Sequence, residues 1–97
     1  MVTYVSLINW TDQGIRSFTD TVKRAREFRS LAESNGGQVR ELLWTVGECD
    51  IVAVVDFPDE ETATALLLKV GALGNVRTRS MRGFDEEAME RIIAKAG

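Results

Sequence analysis

The side chains best equipped for recognition are Tyr4, Trp10, Trp44, Asp50, Asn75 and Arg77. Arg77 offers a planar guanidinium fork that fits a carboxylate or phosphate. Gly74-Asn75 beside it could expose backbone N–H groups to the same anion. Asp50 has two readings. It fixes the neighbouring hairpin by pairing with Arg82 or by accepting hydrogen bonds from the turn amides; or it serves as a general base, although no partner acid or histidine is available nearby in sequence. Tyr4, Trp10 and Trp44 could line a pocket for an apolar or aromatic ligand, and packing in a core accounts for them as well. An enclosed cavity above about 300 Å³, lined by Tyr4, Trp44 and a convergent polar group, would favour the ligand. The lone thiol, Cys49, lies between Glu48 and Asp50, whose negative charge opposes thiolate formation. It reads as a small apolar residue opening a strand.

Composition removes most other chemistry. The 97 residues include no histidine, which excludes His-based acid–base catalysis, Ser-His-Asp and Cys-His sites and ordinary zinc sites. One cysteine leaves no intrachain disulfide and no Cys-x-x-Cys metal carrier. No metal and no cofactor is expected. Lys and Arg number 12 against 15 Asp and Glu, a net charge of −3 that argues against a nucleic-acid binder driven by phosphate neutralisation. With 44 % hydrophobic and 28 % charged residues the chain reads as a soluble globular domain rather than a disordered one. No apolar run approaches the roughly 18 residues of a membrane span. No export signal opens the chain, so neither nucleic acid nor membrane is expected as a partner, and cytoplasmic residence is the default expectation.

The elements that must position these residues follow from periodicity. Val2 to Trp10 is rich in β-branched and aromatic residues and reads as a strand, apolar on both of its faces. Thr11-Asp12-Gln13-Gly14 breaks it, and Ile15 to Phe18 reads as a short helical turn. A helix from about Thr19 or Asp20 to Ser34 carries Val22, Ala25, Phe28, Leu31 and Ala32 as its inward stripe, with Lys23, Arg24, Arg26 and Arg29 as a basic cluster outside it. Strands at Gln38 to Val46 and Cys49 to Phe57 are separated by Gly47-Glu48, the spacing of a tight type II′ hairpin. The continuously apolar Ile51 to Val55 marks a central strand covered on both sides. Asp59 and Asp85 are N-caps, each followed by two acids that suit a helix N-terminus. The first opens a helix with Ala63, Leu66, Leu67 and Val70 inward, and the second a terminal helix with Ala88, Met89, Ile92, Ile93 and Ala96 on one side. Between them Asn75 to Phe84 is the last strand.

A βαββαβ order of this length closes as one ferredoxin-like α+β sandwich over residues 1–97, with antiparallel sheet order 4-1-3-2 and a C-terminal helix added. The first and third strands are expected to run parallel. That would bring Asp50 near Val2, Thr3 and Arg82. It would also gather Trp10, Asp12, Asp56, Asn75 and Arg77 at the opposite edge, where a small anion or carboxylate-bearing ligand could bind. The competing reading there is an internal Arg77–Asp56 or Arg77–Asp12 ion pair. One sheet face is covered by helices; the other, expected to carry Tyr4, Ile8 and Trp10, has no cover within one chain. Either a second copy packs sheet to sheet with twofold symmetry, or the terminal helix folds across that face.

Three segments carry a family resemblance: Thr11-Asp12-Gln13-Gly14-Ile15-Arg16, Trp44-Thr45-Val46-Gly47-Glu48-Cys49-Asp50, and Leu73-Gly74-Asn75-Val76-Arg77-Thr78 with Phe84 closing the strand. In this order the chain resembles the GYD-domain family of the dimeric α/β-barrel superfamily. The resemblance implies a ferredoxin-like domain that dimerises through its sheets. Cys49 stands where the family's motif has a tyrosine, so no role of a phenol hydroxyl carries over, and the resemblance implies architecture rather than a reaction. The expected function is a small homodimeric ligand- or partner-binding domain without catalysis. Fold analogy alone suggests a cofactor-independent monooxygenase- or isomerase-like enzyme. A third reading is an amino-acid-binding regulatory module using the Asp12 to Gly14 loop at a subunit contact. Aliphatic residues on the central strand and the acidic charge argue against an RNA-recognition module.

Overall fold

The computed structural model describes residues 1–97. Strands β1 (Val2–Trp10), β2 (Gln38–Trp44), β3 (Ile51–Phe57) and β4 (Val76–Gly83) form one sheet in the order β2-β3-β1-β4. The helices are α1 (Asp12–Arg16), α2 (Thr21–Ser34), α3 (Glu60–Ala72) and α4 (Glu86–Ala96), with a single 3-10 turn at Phe18–Asp20 before α2. This is the ferredoxin-like βαββαβ topology with a C-terminal helix, in the strand order expected.

The direction of one strand corrects the sequence reading. β1 and β3 are antiparallel, with Val2 opposite Phe57 and Ile8 opposite Ile51. The crossover through α2 returns β2 in the sense of β1, and the hairpin then reverses β3, so a parallel β1–β3 pair cannot arise. Asp50 consequently lies at the Trp10 end of β1, and Asp56 lies at the other end, opposite Thr3.

The faces of the sheet are also exchanged relative to expectation. Tyr4, Ser6, Ile8 and Trp10 share the α2/α3 side with Ala53, Val55 and Phe57, while Val5, Leu7, Val52 and Val54 lie on the open side. Both parities of β1 are apolar, so alternation alone does not choose between them. The choice follows the strand in which Ile51, Ala53, Val55 and Phe57 are all buried and the residues between them only partly so. Leu43, opposite Val52, and Met81, opposite Val5, extend the open apolar face to the neighbouring strands. They remain 57 % and 51 % exposed.

Ala32 of α2 and Ala63 of α3 are fully buried in one cluster with Val39, Val55, Phe57 and Leu66, small residues where the helices lie close to the sheet. Val22, expected in the α2 stripe, is exposed because the stripe faces the sheet only from Ala25 onward. Asp59 and Asp85 cap as expected, accepting from the amides of Thr62 at 2.7 Å and Ala88 at 2.8 Å. The Thr62 amide bond holds the Asp59 carboxyl below its ordinary range. α4 does not close the open face: Met89 and Ile93 of its apolar side stay exposed, and the molecule extends over 50 × 30 × 18 Å. No helix is long and apolar enough to cross a membrane.

Candidate ligand-binding site

At the end of the sheet where β1 finishes, two side-chain clamps fix the backbone. Trp10 N–H donates to the Asp50 carboxylate at 2.9 Å, and Asp50 N–H donates to the Ile8 carbonyl at 2.9 Å. Asp50 therefore continues the β1–β3 ladder with its side chain. The tight two-residue hairpin expected at Gly47-Glu48 is replaced by a six-residue loop, 45–50, between Trp44 and Ile51. Thr45 N–H closes that loop on the Asp50 carbonyl at 2.8 Å, and its hydroxyl donates to the Cys49 carbonyl at 2.6 Å. Asp50 thus accepts from a main-chain amide, but from β1 rather than from the turn. It does not meet Arg82, whose nearest acid is Glu60 at 3.4 Å. Replacing Asp50 with alanine strands the Trp10 amide and is expected to cost about 1–3 kcal/mol of stability. Asp50→Asn, which keeps an acceptor, is expected to restore most of it. The urea midpoint and hydrogen exchange at the Trp10 amide measure both.

The second clamp joins α1 to the entry of β4. Thr11 caps α1 by accepting from Gly14 N–H, and its own hydroxyl donates to the Gly74 carbonyl at 2.6 Å. Thr11 N–H reaches the Asn75 carbonyl at 3.1 Å, and the Gln13 amide donates to Asn75 Oδ1 at 3.0 Å. Gly74 has φ +84°, the left-handed conformation that favours glycine. Arg24 turns inward from α2 rather than joining a basic outer cluster, and its guanidinium holds Ser17 Oγ and the carbonyls of Gly14 and Ser17.

Between these clamps, α2, α3 and the sheet surround a part-open cavity of about 150 Å³. Its wall is mainly apolar, built by Ile8, Phe28, Ile51, Leu67, Val70 and Val76, with Arg24, Glu27, Thr78 and Asn75 among its polar residues. Trp10 lines it, and the indole Nε1–H is buried with no hydrogen-bond partner. Such a donor is costly to leave unmet, about 1–3 kcal/mol. The cavity is smaller than the roughly 300 Å³ that would favour a ligand, and neither Tyr4 nor Trp44 lines it. Tyr4 packs edge-on against Phe57 at 6.0 Å, at the other end of the sheet. Trp44 donates its Nε1–H to the Thr21 hydroxyl at the start of α2.

Of the residues singled out in sequence, Trp10 and Asn75 meet in the cavity, Asp50 and Trp44 stand beside it, and Tyr4 and Arg77 are elsewhere. Arg77 lies opposite Asn9 on the open face and is exposed. It pairs with neither Asp56 nor Asp12: Asp56 is bound by Thr3 at 2.6 Å and lies 3.7 Å from Arg40. Of the edge expected around Arg77, Asp56 is the residue that lies elsewhere, at the other end of the sheet. Ser6, Thr78 and Arg24 were missed as cavity residues. Ser6 carries a signal, a polar side chain within an apolar strand, and Arg24 stands one turn before Phe28; Thr78 lies on a strand that is polar on both sides and carries none.

This geometry defines a ferredoxin-like α+β domain with one open apolar sheet face and a small apolar chamber beneath its helices. The GYD domain model matches residues 4–93, and the chain belongs to the GYD-domain family. The crystal structure of MtbAldR superposes with a TM-score of 0.68 at 15 % identity, over 88 % of this chain and 52 % of that one. That likeness is one of fold, and the chain spans about half the length of MtbAldR. The search of curated proteins returned no match.

Proposed function

We propose that the protein is a homodimeric binding domain, paired through its open sheet face, that takes up a small aromatic or apolar molecule bearing one hydrogen-bond acceptor. The Trp10 Nε1–H, buried without a partner beside a mainly apolar cavity, supports this reading most directly. An apolar cavity of about this size suffices for a single benzene ring. A carbonyl or ether oxygen on that ring would satisfy the indole and relieve the cost of its burial. The second copy is supported by the open face itself. Val5, Leu7, Val52 and Val54 lie at its centre, Arg77 and Arg79 on β4 at one edge, and Glu41 on β2 towards the other. A twofold axis along the strands sets Arg77 and Arg79 of one copy towards Glu41 of the other.

Acetophenone and its hydrocarbon counterpart ethylbenzene test the chamber. Acetophenone is expected to bind at least about tenfold tighter, the worth of one buried hydrogen bond. Trp10→Phe keeps the aromatic packing, removes the donor and is expected to abolish that difference, while Trp44→Phe leaves it intact. Calorimetric titration reads the affinities, and native mass spectrometry of freshly purified protein reads any molecule already retained. If neither compound binds, or the preference survives in Trp10→Phe, the reading fails.

A further inference from the structure

The opposite end of the sheet carries a second cleft of about 270 Å³, between the end of β4 and α4. In a chain with more acids than bases, this cleft is lined by Arg82, Arg91 and Lys95. Its one carboxylate, Asp85, is committed as the α4 cap through Oδ1. Arg82 is held in place rather than free to swing. Its guanidinium carbon lies 4.8 Å from the centre of the Phe84 ring and 5.7 Å from that of Tyr4. One amino group, Nη1, rests 3.4 Å from Glu60. Its Nε–H is buried with no partner. Arg91 and Lys95 are one helical turn apart on α4 and neither takes part in an ion pair; like charges at that spacing repel. Three cations thus border a cleft whose single lining carboxylate is already engaged as a helix cap.

We infer that this cleft binds a phosphate monoester. At neutral pH such a group carries close to two negative charges and three strong acceptor oxygens. Its oxygens meet the Arg82 guanidinium, Arg91 and Lys95, and the organic part lies along Phe84 and Ile92. A carboxylate ligand brings flat, two-oxygen geometry and meets fewer of these donors. The site is separate from the Trp10 chamber, at the other end of β1, and does not depend on it.

Nitrogen-15 labelled protein at constant ionic strength allows the Arg82 Nε–H resonance to be followed during titration with inorganic phosphate, glycerol phosphate and malonate. The expected result is a saturable shift of that resonance with both phosphates, tightest with glycerol phosphate and at least about tenfold weaker with malonate. In the Arg91→Gln, Lys95→Gln double variant, altered only at exposed positions, both phosphates are expected to bind at least about tenfold more weakly. Circular dichroism should show α4 unchanged. A shift that never saturates, malonate binding as well as phosphate, or undiminished affinity in the folded double variant would each overturn the inference.

Discussion

The wild-type protein is expected to sediment as a dimer and the Val54→Asp variant as a folded monomer of 10.8 kDa. Val54 lies on the central strand β3, directly opposite Val5 of β1 and Glu41 of β2, on the face that no helix covers. In one chain its side chain is only partly buried, so a carboxylate there retains access to water. In a sheet-to-sheet dimer the same carboxylate is enclosed without a partner, and the symmetry repeats the penalty on both sides. Stranding a buried charge costs about 3–5 kcal/mol, enough to weaken association by a thousandfold or more. Val55→Asp is the control for face. One residue along, it points into the core with Val39 and Phe57 and should unfold the chain rather than dissociate it. Sedimentation velocity across micromolar concentrations, with circular dichroism on each variant, separates the outcomes. A wild-type monomer at those concentrations, or a Val54→Asp variant that still pairs, removes the dimer.

The contrast between Val54 and Val55 also shows where sequence reasoning loses resolution. Capping chemistry is local, so Asp59 and Asp85 marked their helices before any tertiary contact was known, and the apolar run Ile51 to Val55 identified a central strand. The assignment of faces is not local. β1 is apolar at both parities, so nothing within Val2 to Trp10 says which set meets the helices; the answer comes from the register with β3, where Phe57 and Val55 are buried. The 45–50 loop was read as a tight turn because Gly47-Glu48 has the right chemistry. Asp50 overrode it by lending its carboxylate to Trp10 N–H, a contact across 40 residues. The chamber is legible in part. Trp10 and Asn75 follow from the sequence both as recognition residues and as neighbours, because the β1–β4 pairing sets Trp10 opposite Val76; the direction of β3 misplaces only Asp50 and Asp56.

Gly14→Ala should produce the largest loss of stability for the smallest change in composition. Gly14 is buried in α1, and a Cβ added there collides with the main-chain carbonyl of Asn75. Backbone cannot rotate aside as a flexible side chain would, so α1 or the entry to β4 must move. Either movement lengthens the bonds from Thr11 to the carbonyls of Gly74 and Asn75, which tie the two segments together. Overpacking with loss of these bonds is expected to cost about 3 kcal/mol or more. In a domain of this size that lowers Tm by roughly 12 °C or more. Gly71 supplies the matched control. It lies within α3, and a Cβ added there meets nothing within 4 Å. Gly71→Ala is therefore expected to be stabilising by about 0.5–1 kcal/mol, through helix propensity and a less flexible unfolded chain. Calorimetric melting compares the pair. Because Asn75 and Trp10 share the chamber wall, Gly14→Ala should also impair acetophenone binding at temperatures where the variant is still folded. Equal melting of the two variants would mean that the close approach of α1 to β4 does not hold this end of the domain, and the rigid placement of Trp10 and Asn75 would lose its structural basis.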